Sequence, residues 1–374
     1  MKTLYLHIGT PKTATSSVQL FCRKNRPQLH RYGYEFPILL QKYPLVGHDR
    51  NGHFLVDSSP KLDGNGRIEN TEDDTPKRRE IRRKHLAAGM KAVHKAFDRY
   101  DNVILSDESL WLSLNYNQRN PLDILCGDAQ EYGYRIKVIV YLRRQDQFVI
   151  SRWNQLIKEG AVSQTFQEYL DDLLTRRPLI VDYAESLDRI AAKIGKENVI
   201  VRRFEPSTWV GGSVYTDFMD AISLAPDAPV KPLKKAANTS LTLNFVEIQR
   251  QINASTDISN ARKSFLCYFL RKASRKHEEH SGYGAFSTEE TREFLARYEE
   301  GNARLAKEYL GEEGSLFSPV IKETRKWTPD NEYMEEDRNF FSQEISKASH
   351  GLPLWEYRCK HLIKEGTQKV LSRF

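Results

Sequence analysis

The 374-residue chain has few cysteines, and the four present, Cys22, Cys126, Cys267 and Cys359, lie far apart. None stands in a CxxC pair or at a Cys/His spacing that holds a metal, so no metal site is expected. A chain this long buries a sizeable core without disulfides, and a reducing compartment, the cytoplasm, is the simplest expectation. No apolar run approaches the roughly 20 residues that span a bilayer, so no transmembrane helix is expected. The first residues read directly into a strand, with no basic leader or long apolar stretch, which argues against a cleaved secretion signal. Internal repeats and low-complexity tracts are also lacking.

What is present fits a globular enzyme, with 39% apolar and 29% charged residues. A formal net charge of +7 favours anionic partners. On charge alone a phosphorylated nucleotide, an acidic sugar polymer and a nucleic acid fit equally well.

Residues 3–8 are apolar and β-prone, and the run stops at Gly9 and Pro11. Residues 15–24 then read as a helix with Val18, Phe21 and Cys22 on one face. Strand, tight loop and helix predict the first unit of a parallel α/β sheet. Further strands are expected at 103–105, 136–142 and 198–202, the second nearly all apolar, as suits a buried parallel strand. Helices expected at about 76–100, 145–158, 165–175 and 180–195 alternate with them as right-handed crossovers require. Residues 33–75, rich in Gly, Pro, Asp and Asn, read as long loops with short helical pieces. Beyond residue 240 the chain reads as mostly helical, most clearly at 241–253 and 288–310. The expected fold is α/β, a central parallel sheet flanked by helices with a helical C-terminal part. One domain is expected over 1–320, followed by an extension over 321–374 with no assignable role.

The segment Gly9-Thr10-Pro11-Lys12-Thr13-Ala14-Thr15-Ser16-Ser17 has the chemistry of an anion loop. Backbone N–H groups at a helix N-terminus carry the positive end of the dipole. The hydroxyls of Thr13, Thr15, Ser16 and Ser17 offer donors, and Lys12 adds a mobile charge. An ordinary N-cap needs one hydroxyl and leaves Lys12 unexplained. A Walker A loop needs GxxxxGK[ST], which is not the spacing here.

The loop resembles the 5′-phosphosulfate loop of sulfotransferases that use 3′-phosphoadenosine 5′-phosphosulfate (PAPS). Pro11, Lys12, Thr13, Thr15 and Ser16 fit that family position by position, and Ala14 stands where glycine is usual. The family holds the 3′-phosphate with an arginine ending a strand and a serine eight positions on. Arg143 and Ser151 match, with Arg144 as the alternative arginine. The resemblance implies a P-loop-like sulfotransferase architecture, PAPS as sulfuryl donor, no metal, and Lys12 stabilising the leaving group.

Removing the acceptor proton needs a base in the cleft. Ser106-Asp107-Glu108-Ser109 follows a predicted strand, and the C-terminal ends of strands are where open α/β sheets bind ligands. Glu108 matches the family's base position and Asp107 is the runner-up, while a plain helix cap at residue 110 is the bland alternative. His48 and His53, in the polar loop, are candidates for acceptor contact or for the base, and His7 reads as structural. Arg202, Arg203 and the stretch 231–240 are weaker nucleotide contacts. The basic run Lys77, Arg78, Arg79, Arg82, Arg83, Lys84 reads as a solvated face or as a guide for an anionic acceptor.

The expected partners are the nucleotide donor and a saccharide or small-molecule acceptor, with no nucleic acid. A P-loop kinase-like phosphotransferase and a non-enzymatic polyanion-binding protein remain the alternatives. Aromatics are not gathered beside the basic clusters, as single-strand binders require.

Overall fold

The computed structural model describes residues 1–39, 49–62, 74–225, 240–257, 259–276 and 282–349. His48 and residues 231–239 lie outside the described residues. The chain divides into two compact units: 1–148, 172–235 and 297–319, and 149–171, 236–296 and 320–374.

The first unit is built on a five-stranded sheet in the order β2-β3-β1-β4-β5. Its strands are β1 (Lys2–His7), β2 (Tyr34–Glu35), β3 (Asn102–Ser106), β4 (Tyr134–Leu142) and β5 (Val199–Arg203). Every pairing between them is parallel. The helices follow in chain order as α1 (Thr15–Lys24), α2 (Arg26–Arg31), α3 (His53–Val56), α4 (Pro76–Phe97), α5 (Leu110–Tyr116), α6 (Pro121–Tyr132), α7 (Gln145–Glu159), α8 (Phe166–Arg176), α9 (Tyr183–Ile194) and α10 (Val214–Ala221). Of these, α7 begins in the first unit and continues into the second, and α8 begins in the second and ends in the first. The second unit contains α11 (Leu243–Ala254), α12 (Asn260–Lys276), α13 (Thr288–Ala296) and α15 (Met334–Ser349); α14 (Glu299–Leu305) belongs to the first. The single helix expected at 288–310 is thus broken at residues 297–298, where the chain passes between units. No helix among the described residues is long and apolar enough to cross a membrane.

The sheet is apolar on both faces, as a covered parallel sheet must be. Leu4, Leu6, Val103, Leu105, Val138, Val140 and Leu142 are buried, and so are Tyr5, Ile104, Ile139 and Tyr141. The latter set packs with Val18 and Phe21 of α1 and with Phe218 and Met219 of α10. The stripe Val18, Phe21, Cys22 read from the sequence is therefore the face that docks α1. Phe54 of α3 is fully buried, and a Cβ on Gly89 of α4 would come within 2.3 Å of its ring. Gly89 lets α4 press on α3, and α3 opens with His53.

β1 lies between β3 and β4, so the C-terminal ends of these strands stand side by side. The register pairs His7 with Ser106 on one flank and with Ile139 on the other. The His7 ring bonds the Ser106 hydroxyl through Nδ1 at 2.9 Å, and Ser106 Oγ also accepts from Gln19 Nε2 at 3.2 Å. Full burial pushes the His7 imidazole down from its ordinary 6.5 to about 3. The folded protein then keeps His7 neutral while the unfolded chain protonates it below 6.5, so stability is lost as pH falls from 6.5 towards 3.

Two outcomes follow. His7→Gln loses less stability than the parent on acidification, the difference reaching about 2 kcal/mol between pH 7 and pH 5 in urea unfolding. Gly89→Ala lowers Tm despite better helix propensity, because overpacking Phe54 costs about 1–3 kcal/mol against a gain of about 1; an unchanged or higher Tm rejects that packing account.

Candidate functional site

Loops at the C-terminal ends of β1, β3 and β4 form the site. The strand order turns at β1, and open α/β sheets bind ligands at such a switch.

The loop after β1 is fastened to β4 beyond the strand's end. Ile8 N–H donates to Ile139 O at 3.0 Å, Thr10 N–H to Tyr141 O at 3.0 Å, and Tyr141 N–H to Gly9 O at 2.6 Å. Gly9 has φ +97°, and a Cβ there would meet the Glu108 Cα at 3.2 Å. Only glycine lets the loop pass so close to Glu108, the second residue after β3. Pro11 is buried, Lys12 is half-buried with φ +69°, and Ala14 sits in the left-handed region at φ +60°, ψ +21°. That conformation strains a residue with a Cβ.

α1 starts without a side-chain cap, whereas α4, α6, α9 and α10 are capped by Thr75, Asn120, Asp182 and Ser213. The ordinary-cap account of the Thr/Ser cluster therefore finds no support. The helix's first hydrogen bonds run from Ser17 and Val18 N–H to Ala14 O. By helix geometry, the N–H groups of residues 14–16 lack a partner in their own helix. Thr13 Oγ1 donates to Thr10 O at 2.6 Å and Thr15 Oγ1 reaches the same carbonyl at 3.5 Å. Those two hydroxyls brace the loop from inside, a role distinct from the anion contact expected of them. Ser16 is exposed and Ser17 half-buried.

After β4, the neighbouring arginines separate. Arg143 Nη1 reaches the Lys12 carbonyl at 3.5 Å, bringing the second motif onto the first loop. Its guanidinium lies over the Phe204 ring at 5.9 Å, and burial lowers its pKa. Arg144 is buried and bonds Asp146 through Nε and Nη2 at 2.8 and 2.9 Å and Ser318 O at 3.1 Å. That engagement makes Arg144 a structural residue. Ser151 is buried on α7, in the part that belongs to the second unit. Arg202 pairs with Asp220 and Arg203 with Glu312, so both guanidinium groups are engaged by carboxylates.

After β3, Asp107 is fully buried. It accepts from Arg50 Nε at 2.9 Å, Arg50 Nη2 at 2.5 Å and Ser109 N–H at 2.7 Å, and contacts His53 Nδ1 at 3.0 Å. Burial alone would raise its pKa, but the His53 hydrogen bond and the Arg50 charge outweigh that and hold it below the carboxylate range. Asp107 is therefore a fixed anion that organises its neighbours. Glu108 is half-buried beside it, with Oε1 3.4 Å from Arg50 Nη1. His53 opens α3 rather than lying in an open loop.

Arg50 and Asn51 were not singled out from the sequence. Asn51 Nδ2 donates to Ile104 O at 3.0 Å and its Oδ1 accepts from Ser106 N–H at 2.8 Å, sewing the 49–53 segment onto β3. The available signal was a lone arginine between His48 and His53. The basic face of α4 is largely matched by acids: Arg79 bonds Asp74, Arg83 bonds Glu80, and Arg78 and His85 bond Asp57. Among the described residues, no group of three or more His, Cys, Asp or Glu is arranged to hold a metal.

Because Ala14 carries left-handed strain, Ala14→Gly raises stability by about 1 kcal/mol or less, and Ala14→Val lowers it. Thermal unfolding of the two variants checks the sign, and a stabilising valine rejects the strain.

No known protein-family model matches the chain. A stretch of 177 residues, 47% of the chain, is 28% identical to an uncharacterized protein of Archaeoglobus fulgidus. The match covers 46% of that protein, so the chain spans less than half the length of this relative. In crystal structure, the sulfotransferase of Alicyclobacillus acidocaldarius is similar over 64% of this chain and 88% of its own, at 15% identity and a TM-score of 0.36. Similarity of that extent defines neither family nor activity.

Proposed function

We propose that the chain is a sulfotransferase that takes PAPS at the loop after β1 and moves its sulfuryl group to a hydroxyl or amine, on a saccharide or a small molecule. One observation carries the reading: Arg143 Nη1 lies 3.5 Å from Lys12 O, on the loop whose Gly9 backs onto Glu108. A cation, an uncapped helix start and a carboxylate meet where a phosphosulfate and an acceptor would need them.

In this reading the amides opening α1, with Ser16 and Ser17, hold the 5′-phosphosulfate. Arg143 and Ser151 hold the 3′-phosphate, the guanidinium supplying a planar multi-donor contact. Glu108 takes the proton from the acceptor hydroxyl as its oxygen bonds to sulfur. The bond from sulfur to the nucleotide oxygen breaks, and Lys12 stabilises the charge left on that oxygen. Adenosine 3′,5′-bisphosphate and the sulfated acceptor are the products. His53, held by Asp107, lies on the acceptor side of this arrangement.

Thermal shift tests the reading with adenosine 3′,5′-bisphosphate, ATP plus magnesium, and an acidic polysaccharide in parallel. The bisphosphate at a hundredfold excess over Kd stabilises by about 2.7 kcal/mol. Failure of the bisphosphate beside success of ATP or of the polysaccharide favours a phosphotransferase or a polyanion binder instead. Lys12→Ala and Glu108→Gln lower turnover by about 100-fold or more, and Glu108→Gln keeps the full bisphosphate shift. Arg143→Ala and Ser151→Ala instead diminish the shift. Full turnover in Glu108→Gln rejects Glu108 as base.

A further inference from the structure

Arg50 serves two carboxylates at once. It bonds Asp107 through Nε and Nη2 while its Nη1 stands 3.4 Å from Glu108 Oε1. Asp107 and Glu108 are consecutive, and Asp107 is withdrawn from water. Two carboxylates so close push a proton onto one of them unless a cation stands between. Without Arg50, Asp107 keeps its His53 contact and the Ser109 N–H bond, whereas Glu108 loses the cation 3.4 Å from it. A protonated Glu108 could not accept the acceptor's proton at neutral pH.

The arginine's own position is built in. Its side chain is 16% exposed, and Nη2 also donates to Ser109 Oγ at 2.7 Å. The next residue, Asn51, is sewn to β3, and Gly52 N–H donates to Ser106 O at 3.3 Å. A Cβ on Gly52 would lie 3.3 Å from the Ser106 carbonyl carbon, so the segment runs close along the strand end. Among the described residues, Arg50 and His53 of the 49–53 segment face the carboxylate pair, Arg50 touching both and His53 touching Asp107. Asp49, just before Arg50, is paired with Arg23 of α1 at 2.7 Å.

We propose that Arg50 is a positioning residue, anchored by Asp107, that keeps Glu108 ionised and oriented as the base. This rests on the sulfotransferase reading for the reaction but not for the charge relation. It differs from a phosphate-binding role for Arg50, whose loss would weaken binding of adenosine 3′,5′-bisphosphate and raise the KM for PAPS.

Carbon-13 NMR of protein labelled at the glutamate carboxyl tests it without needing an acceptor. The resonance missing from E108Q identifies Glu108, and its titration midpoint moves to higher pH in R50M. R50K, which restores a charge without the fork, moves it back part of the way. Since R50M strands a buried charge and can unfold, R50M/D107N is compared with D107N alone, and the midpoint again rises on loss of Arg50. An unmoved midpoint in both comparisons overturns the proposal. In turnover, R50M lowers kcat at least tenfold with the KM for PAPS unchanged, and costs nothing further in an E108Q background. Equal further loss in that background overturns action through Glu108. A wild-type chain that adenosine 3′,5′-bisphosphate fails to stabilise overturns the reaction, and the role with it, even where the midpoint moves.

Discussion

The hydrogen bonds between β1 and β4 continue past the end of β1. Ile8, Gly9 and Thr10 go on exchanging main-chain bonds with Ile139 and Tyr141. A loop that would otherwise be free to sample conformations is fixed at its base by the ladder of a buried sheet. Its far end is fixed by α1, whose Val18 and Phe21 are held in the core. The residues between have little choice of path. Lys12 and Ala14 are left in left-handed conformations that neither side chain prefers. Strain of this kind persists only where the surroundings over-determine the backbone. Here the constraint is the sheet on one side and a docked helix on the other.

The same sheet also decides which charges meet. Since β1 is central, the residues following β3 and β4 border the loop from opposite flanks. Glu108 comes from one side and Arg143 from the other, with opposite charge. Each is braced by a different device. Arg143 lies against Phe204, and its own carbonyl accepts from Tyr183 Oη at 2.7 Å. Glu108 depends on polar neighbours, Asp107 and Arg50. A buried carboxylate costs much free energy unless charge and hydrogen bonds compensate it. Asp107 has both, and its compensation holds Arg50 and His53 at the site.

Much of the fold was legible because strand and helix signals are properties of consecutive residues. The apolar run at 136–142 announces a parallel strand, and β4 extends it by two residues at the start. The proline at residue 76 and the periodic Met90, Val93 and Phe97 announce α4. The two-residue β2 escaped notice, since so short an edge strand exists only through its pairing with β3. The helix expected at 288–310 had the right periodicity, and its break follows the division into units instead of any local breaker.

By itself the sequence determined a strand–loop–helix opening with Lys12 in the turn, and placed Glu108 and Arg143 just beyond strand ends. Tertiary structure alone decided which neighbours those residues have. It separated Arg143 from Arg144, identical in sequence terms, by giving the second to Asp146. It turned Thr13 and Thr15 inward while Ser16 stayed exposed. It also brought Arg50 to Asp107, 57 residues away in the chain. Periodicity and residue type act over a few positions, whereas a charge pair across such a span depends on strand order and register.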